Sequence, residues 1–107
     1  MTAYNVVRMR VKPGHEEEFL ANFNARPTEV ADEMIANGLR KICVIKTGDR
    51  SYCLIGEWDS MSGIVAARPE MIKRLDEQRD MLEDLGGGLG VTDPVSGEAI
   101  VEMRAGK

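Results

Sequence analysis

From Tyr4 to Val11 the chain alternates. Val7, Met9 and Val11 fall on one side, while Arg8 and Arg10 fall on the other with Tyr4 and Val6. That period of two predicts a strand. Lys12-Pro13-Gly14 ends it, because proline cannot donate to a ladder and Pro-Gly favours a turn. His15-Glu16-Glu17-Glu18 then opens a helix, its carboxylates suited to the positive end of the helix dipole. Phe19, Leu20 and Phe23 supply its apolar stripe. Arg26-Pro27 breaks or kinks this helix, and Thr28 caps a second piece lined by Val30, Met34 and Ile35 that stops at Asn37-Gly38. Two short apolar runs follow, Ile42 to Ile45 and Tyr52 to Ile55, with Gly48-Asp49 between them as the turn of a hairpin. Gly56-Glu57-Trp58 extends the second strand. Asp59 or Ser60 caps a helix carrying Met61, Ile64 and Val65 before Pro69. Met71, Leu75, Leu82 and Leu85 then predict an amphipathic stripe closed by Gly86-Gly87-Gly88. Ala99 to Met103 reads as the last strand, reached through Thr92-Asp93-Pro94 and Val95-Ser96-Gly97.

The order strand, helix, strand, strand, helix, strand predicts an α+β fold. It is a ferredoxin-like βαββαβ sandwich, an antiparallel sheet with the helices on one face, in a single domain over residues 1–107. An antiparallel sheet with one wet face alternates apolar and polar residues, but the hairpin strands are apolar throughout. The helices can cover only one face. A second copy of the same sheet is the simplest cover for the other, which predicts a homodimer through the sheet faces. A monomer with a few exposed apolar side chains is the alternative.

Composition sets limits without naming a reaction. The chain has 107 residues, 43% hydrophobic and 30% charged, enough for one core. A net charge of −4 argues against nucleic acid or an anionic membrane surface as partner. With no apolar run long enough to span a bilayer and no signal peptide at the start, the expected location is cytoplasmic. Two cysteines, Cys43 and Cys53, and one histidine, His15, cannot furnish the usual three or four zinc ligands. Both cysteines are expected to be reduced core thiols, with a strained cross-strand disulfide as the alternative.

The segment Val11-Lys12-Pro13-Gly14-His15-Glu16-Glu17-Glu18-Phe19 resembles the strand-turn-helix opening of the antibiotic biosynthesis monooxygenase family. Glu57-Trp58-Asp59-Ser60 before a helix resembles that family's exit from its third strand, and the likeness spans roughly residues 4 to 70. The resemblance implies a dimeric α/β barrel with a small-molecule pocket between helices and sheet in each subunit. It also implies, for some members, oxidation of anthrone- or quinol-like aromatics by dioxygen with no prosthetic group. There the substrate is deprotonated and itself passes an electron to oxygen, while the protein positions it and stabilises the anion. Haem-degrading members use an asparagine early in the first strand with a tryptophan and a histidine on the second helix. Asn5 matches the first, but Ala66, Ala67 and the Asp76-Glu77 region stand where the others would fall, which disfavours haem degradation.

Each candidate residue has a functional and a plainer reading. Asn5 shares a face with Val7 and Met9, so it points toward the core. It can anchor a phenolate or carbonyl, or satisfy nearby backbone at a strand end. Trp58 is an apolar pocket wall or a core or interface anchor. These two are the candidate catalytic residues. His15 and Arg68 are the candidate ligand-binding residues: His15 as a titratable base or a solvated residue at a helix start, Arg68 as an attractor of anions or a solvated surface charge. Gly86-Gly87-Gly88-Leu89-Gly90 lacks the context of a phosphate loop and reads as a helix end or a flap. The leading expectation is therefore a cofactor-independent monooxygenase for a small aromatic or quinone-like molecule. The other is a non-enzymatic ligand-binding or structural homodimer, whose interior would be filled by Phe19, Phe23, Met34 and Leu75.

Overall fold

The computed structural model describes residues 1–24, 29–103 and 105–106, leaving aside the side chains at 29–31 and 33. The expected break at Arg26-Pro27, the Thr28 cap and the packing of Val30 lie outside that set. In chain order the elements are β1 (Ala3–Arg10), α1 (Glu16–Asn24), α2 (Glu29–Ala36), β2 (Leu39–Gly48), β3 (Ser51–Trp58), α3 (Met61–Asp76), a 3₁₀ turn (Arg79–Met81) and β4 (Asp93–Glu98). The sheet order is β2-β3-β1-β4, and every neighbouring pair is antiparallel. This is the ferredoxin-like arrangement, with β1 and β3 at the centre.

Alternation along β1 sets which face is covered. Ala3, Asn5 and Met9 are buried, while Tyr4, Val6, Arg8 and Arg10 are partly or wholly exposed. Packed on the buried side are two core clusters. One holds Met9, Val11, Phe19, Tyr52, Met81 and Leu82. The other holds Ala3, Met34, Trp58, Ile64 and Ala67. Asn5 and Val7 lie between them on β1, opposite Gly56 and Leu54 of β3.

Two expectations are corrected. Pro69 does not end a helix, because α3 runs continuously across it, with Ser60 capping the start by accepting from the Gly63 N–H at 3.4 Å. Proline clashes with the carbonyl four residues back. That residue is Val65, which is 53% exposed, so the helix can bend and leave the freed carbonyl to solvent. The chain leaves the helix at Asp76, so Leu82 and Leu85 do not continue the stripe of Met71 and Leu75. Leu82 is buried nonetheless, brought back by an isolated bridge to Val11. The last strand is likewise Asp93–Glu98, not Ala99–Met103. Glu98 pairs with Ala3 at the start of β1, so the chain beyond it has run past the end of its neighbour. The Ala99 N–H still reaches the Thr2 carbonyl at 2.8 Å, but Ile100, Val101 and Met103 are exposed. Pro94 is tolerated because β4 is an edge strand.

On the uncovered face, registers place Val6 opposite Ile55 and Val95, and Ile55 opposite Cys43. Val95 and Ile45 are exposed there. Cys43 and Cys53 are free thiols, half-buried on this face, and so not core thiols as expected. Arg8 and Asp93 form an ion pair at its edge, 2.9 Å apart. No helix is long and apolar enough to cross a membrane among the described residues.

Candidate functional site

A cavity of about 890 Å³ opens between the helices and the covered face of the sheet. Val7, Leu54 and Ile42 form its floor, and Phe19 and Phe23 line it from α1. From α3 come Met61, Ile64, Arg68, Met71 and Leu75, a stripe at three- and four-residue spacing with one cation in it. Phe19, Phe23, Met34 and Leu75, which would fill the space in a purely structural dimer, border it.

Asn5 is the buried polar group on the floor, only 4% exposed. The Trp58 indole N–H donates to its Oδ1 at 2.6 Å. That bond settles the orientation of the amide, because indole nitrogen only donates and so must meet oxygen. Asn5 Nδ2 is thereby turned the other way, where it has one soft partner, the Met71 sulfur at 3.9 Å. A thioether is a weak acceptor. Asn5 therefore holds a fixed donor with spare capacity beside an apolar cavity.

The pair depends on Gly56, which lies directly across from Asn5. A Cβ there would overlap Asn5 Oδ1 and come within 2.8 Å of Trp58 Nε1. Glycine inside a strand often marks such a close approach. That signal is present in the sequence at Gly56, but it does not name the partner.

Trp58 itself is fully buried, packed with Ala3, Met34, Ile64 and Ala67, and is not among the described residues that line the cavity. It stands behind Asn5 and not at the wall. Arg68 does line the cavity and makes no ion pair among the described residues. His15 lies elsewhere, at the start of α1, with Nδ1 3.5 Å from Glu18 and its side chain 43% exposed. The structure thus gathers Asn5, Trp58 and Arg68 and leaves His15 outside.

The charge of the lining is one-sided. Arg40, Lys41, Arg68, Arg74 and Arg79 border the cavity, and no carboxylate or imidazole does so among the described residues. Three of these cations are engaged at the rim: Arg40 with Asp59 at 2.5 Å, Arg74 with Glu70 at 3.0 Å, and Arg79 with Asp76 at 2.6 Å. The Asp59 carboxylate pushes the Arg40 guanidinium pKa up further, which keeps it charged. Lys41 and Arg68 are the lining cations left without an ion-pair partner among the described residues. No group of three or more His, Cys, Asp or Glu is placed to hold a metal ion among the described residues.

The same arrangement of elements occurs in solved structures. A dimeric ferredoxin-like protein from an uncultured marine organism matches with a TM-score of 0.75 at 16% identity, over 98% of this chain and 93% of that one. SnoaB, a cofactor-independent oxygenase from Streptomyces nogalater, matches with a TM-score of 0.67 at 17% identity, over 95% and 96%. A protein described as an antibiotic biosynthesis monooxygenase from Nitrosomonas europaea matches with a TM-score of 0.69 at 12% identity, over 92% and 90%. The fold is that of the antibiotic biosynthesis monooxygenase-like structures. No family model and no curated protein sequence matches the chain.

Proposed function

We propose that the chain is a cofactor-independent monooxygenase of a small aromatic or quinone-like molecule, working in the cavity above Asn5. The observation that carries this reading is the Asn5 amide, locked by Trp58 so that its N–H group serves the cavity. An anthrone-like substrate presents a carbonyl that becomes an enolate oxygen when the neighbouring C–H is lost. Asn5 Nδ2 donates to that oxygen. Arg68, exposed at the cavity and without an ion-pair partner among the described residues, adds positive charge, in a site with no lining carboxylate among those residues to oppose the anion. Such preorganised donors and charges in a low-dielectric space are the larger part of this kind of catalysis.

The proton leaves to water in this reading, since no base lines the cavity among the described residues. The enolate then passes an electron to dioxygen, and carbon and oxygen combine as a peroxide. Loss of water leaves the quinone, with one oxygen atom in the new carbonyl and the other in water. SnoaB, a protein of the same fold, is a cofactor-independent oxygenase, which supports the reading. In this account Trp58 is a positioning residue acting through Asn5, and His15 has no part.

The functional unit is a homodimer joined through the open sheet faces. The apolar stripe of Val6, Ile55, Cys43 and Val95 supports this, and the marine ferredoxin-like neighbour is described as dimeric. Ile55→Arg is expected to give monomers in sedimentation equilibrium; an unchanged mass would remove this face from the assembly. The test of the activity is oxygen uptake by purified, metal-free protein against a panel of anthrones and hydroquinones, with heat-denatured protein as control. Uptake with stoichiometric quinone formation is expected. No uptake across the panel would move the weight to a ligand-binding dimer.

A further inference from the structure

Gln78 sits just past α3, where the chain turns from the helix into the 3₁₀ segment. The residue lines the cavity, yet it is only 8% exposed. Its backbone is fully used: the N–H donates to the Leu75 carbonyl at 2.8 Å, and the carbonyl accepts from the Met81 N–H at 3.0 Å. The side-chain amide is another matter. Oε1 is buried and meets no hydrogen-bond donor among the described residues. An orphaned buried acceptor is disfavoured unless something else supplies its partner.

Apolar neighbours sharpen the point. Leu75, Leu82 and Met9, which pack in one cluster, line the same cavity, and a leucine at 78 would suit such neighbours better than an amide. Three torsions separate the amide from the backbone, so a change of rotamer can turn Oε1 to the cavity that the residue lines.

We propose that Gln78 is a second polar contact of the cavity, accepting a hydrogen bond from a ligand hydroxyl. Asn5 offers a donor to a carbonyl or enolate oxygen, and Gln78 offers an acceptor to an O–H. Together they select a flat aromatic that carries both groups, a hydroxylated anthrone or quinone, over one that carries the carbonyl alone. This inference rests on the cavity being the ligand site and names the ligand class more narrowly.

The experiment compares 2-hydroxyanthraquinone with anthraquinone, below the phenol's pKa, by quenching of Trp58 fluorescence. These ligands test binding alone, with no oxygen chemistry. Wild-type protein is expected to bind the hydroxylated ligand about tenfold more tightly, the scale of one hydrogen bond to a buried acceptor. Gln78→Leu is expected to abolish that preference and to raise the thermal midpoint of the free protein, because it removes the orphan. A glutamine kept for structure alone would give the opposite sign, a lower midpoint with the preference intact. Equal binding of both ligands by wild-type protein, or a preference that survives Gln78→Leu, overturns the role of Gln78 while leaving the cavity a ligand site. Binding of neither ligand overturns both this inference and the proposed function.

Discussion

The two ends of the covered sheet face treat their polar atoms in opposite ways. At the Phe19 end, apart from the Gln78 amide, polar atoms are sent to the rim. The Tyr52 hydroxyl donates to Glu16, Lys46 reaches the same carboxylate at 3.2 Å, and Arg50 pairs with Glu83. Inside that rim lie close-packed rings, Phe19 against Phe23 edge-on at 5.0 Å and against Tyr52 at 5.2 Å. At the Trp58 end the polar atoms are inside. The Asn5–Trp58 bond is buried, and glycine at 56 makes room for it. The first end is built for stability. The second accepts a costlier interior, which is where chemistry is expected.

Substitutions can break or sharpen that contrast. Met81→Ala, in the Phe19-end cluster but not lining the cavity, should cost about 2–5 kcal/mol in urea unfolding. Oxygen uptake per folded molecule should stay unchanged. Gly56→Ala should cost about 1–3 kcal/mol through overpacking and should also remove uptake, since the new Cβ displaces Asn5. Stability lost with full activity there would break the link between Gly56 and the site.

Trp58→Phe keeps most of the packing and deletes one N–H. Stability should fall by about 1–2 kcal/mol. The rate constant at saturation should fall far more than the Michaelis constant changes, because the Asn5 amide is then free to turn.

Smallest is Tyr52→Phe, with a loss below about 1 kcal/mol and no change in uptake. The Tyr52 hydroxyl, followed by Lys46, holds the Glu16 pKa below its usual value. Glu16 therefore contributes stability above the ordinary glutamate pKa of about 4.3, which is lost as pH falls through its lowered folded-state value. The bond to Glu16, and then burial, raises the Tyr52 pKa, so the tyrosine's share is present below about 10 and is lost as pH rises through its raised value. In Tyr52→Phe the Glu16 carboxyl titration, followed by NMR, should move up. An unmoved titration would remove the hydroxyl from the account of this rim.

Much of this layout was legible in the chain because alternation is a local signal. It put Asn5 on the same face as Val7 and Met9, and it gave the hairpin and the order of elements. The pairing of Asn5 with Trp58 was not legible, since it depends on the register of β1 against β3, far apart in sequence. Gln78 was hidden for a related reason: its place follows from the chain leaving the helix at Asp76, against the stripe that ran on to Leu85. The final strand was misread because an apolar run says nothing about whether a neighbour remains to pair with. Ala3 had already taken Glu98.

The central claim is that this cavity stabilises an anion through Asn5, and it can be tested without oxygen. Anthrone bound to the protein is titrated anaerobically, and its enolate is followed by absorbance and fluorescence. An apolar cavity alone would raise the ligand's pKa by desolvation. The account predicts a pKa at least one unit below that of anthrone in water, returning most of the way in Asn5→Ala. Ionisation at or above the value in water, with or without Asn5, would contradict it.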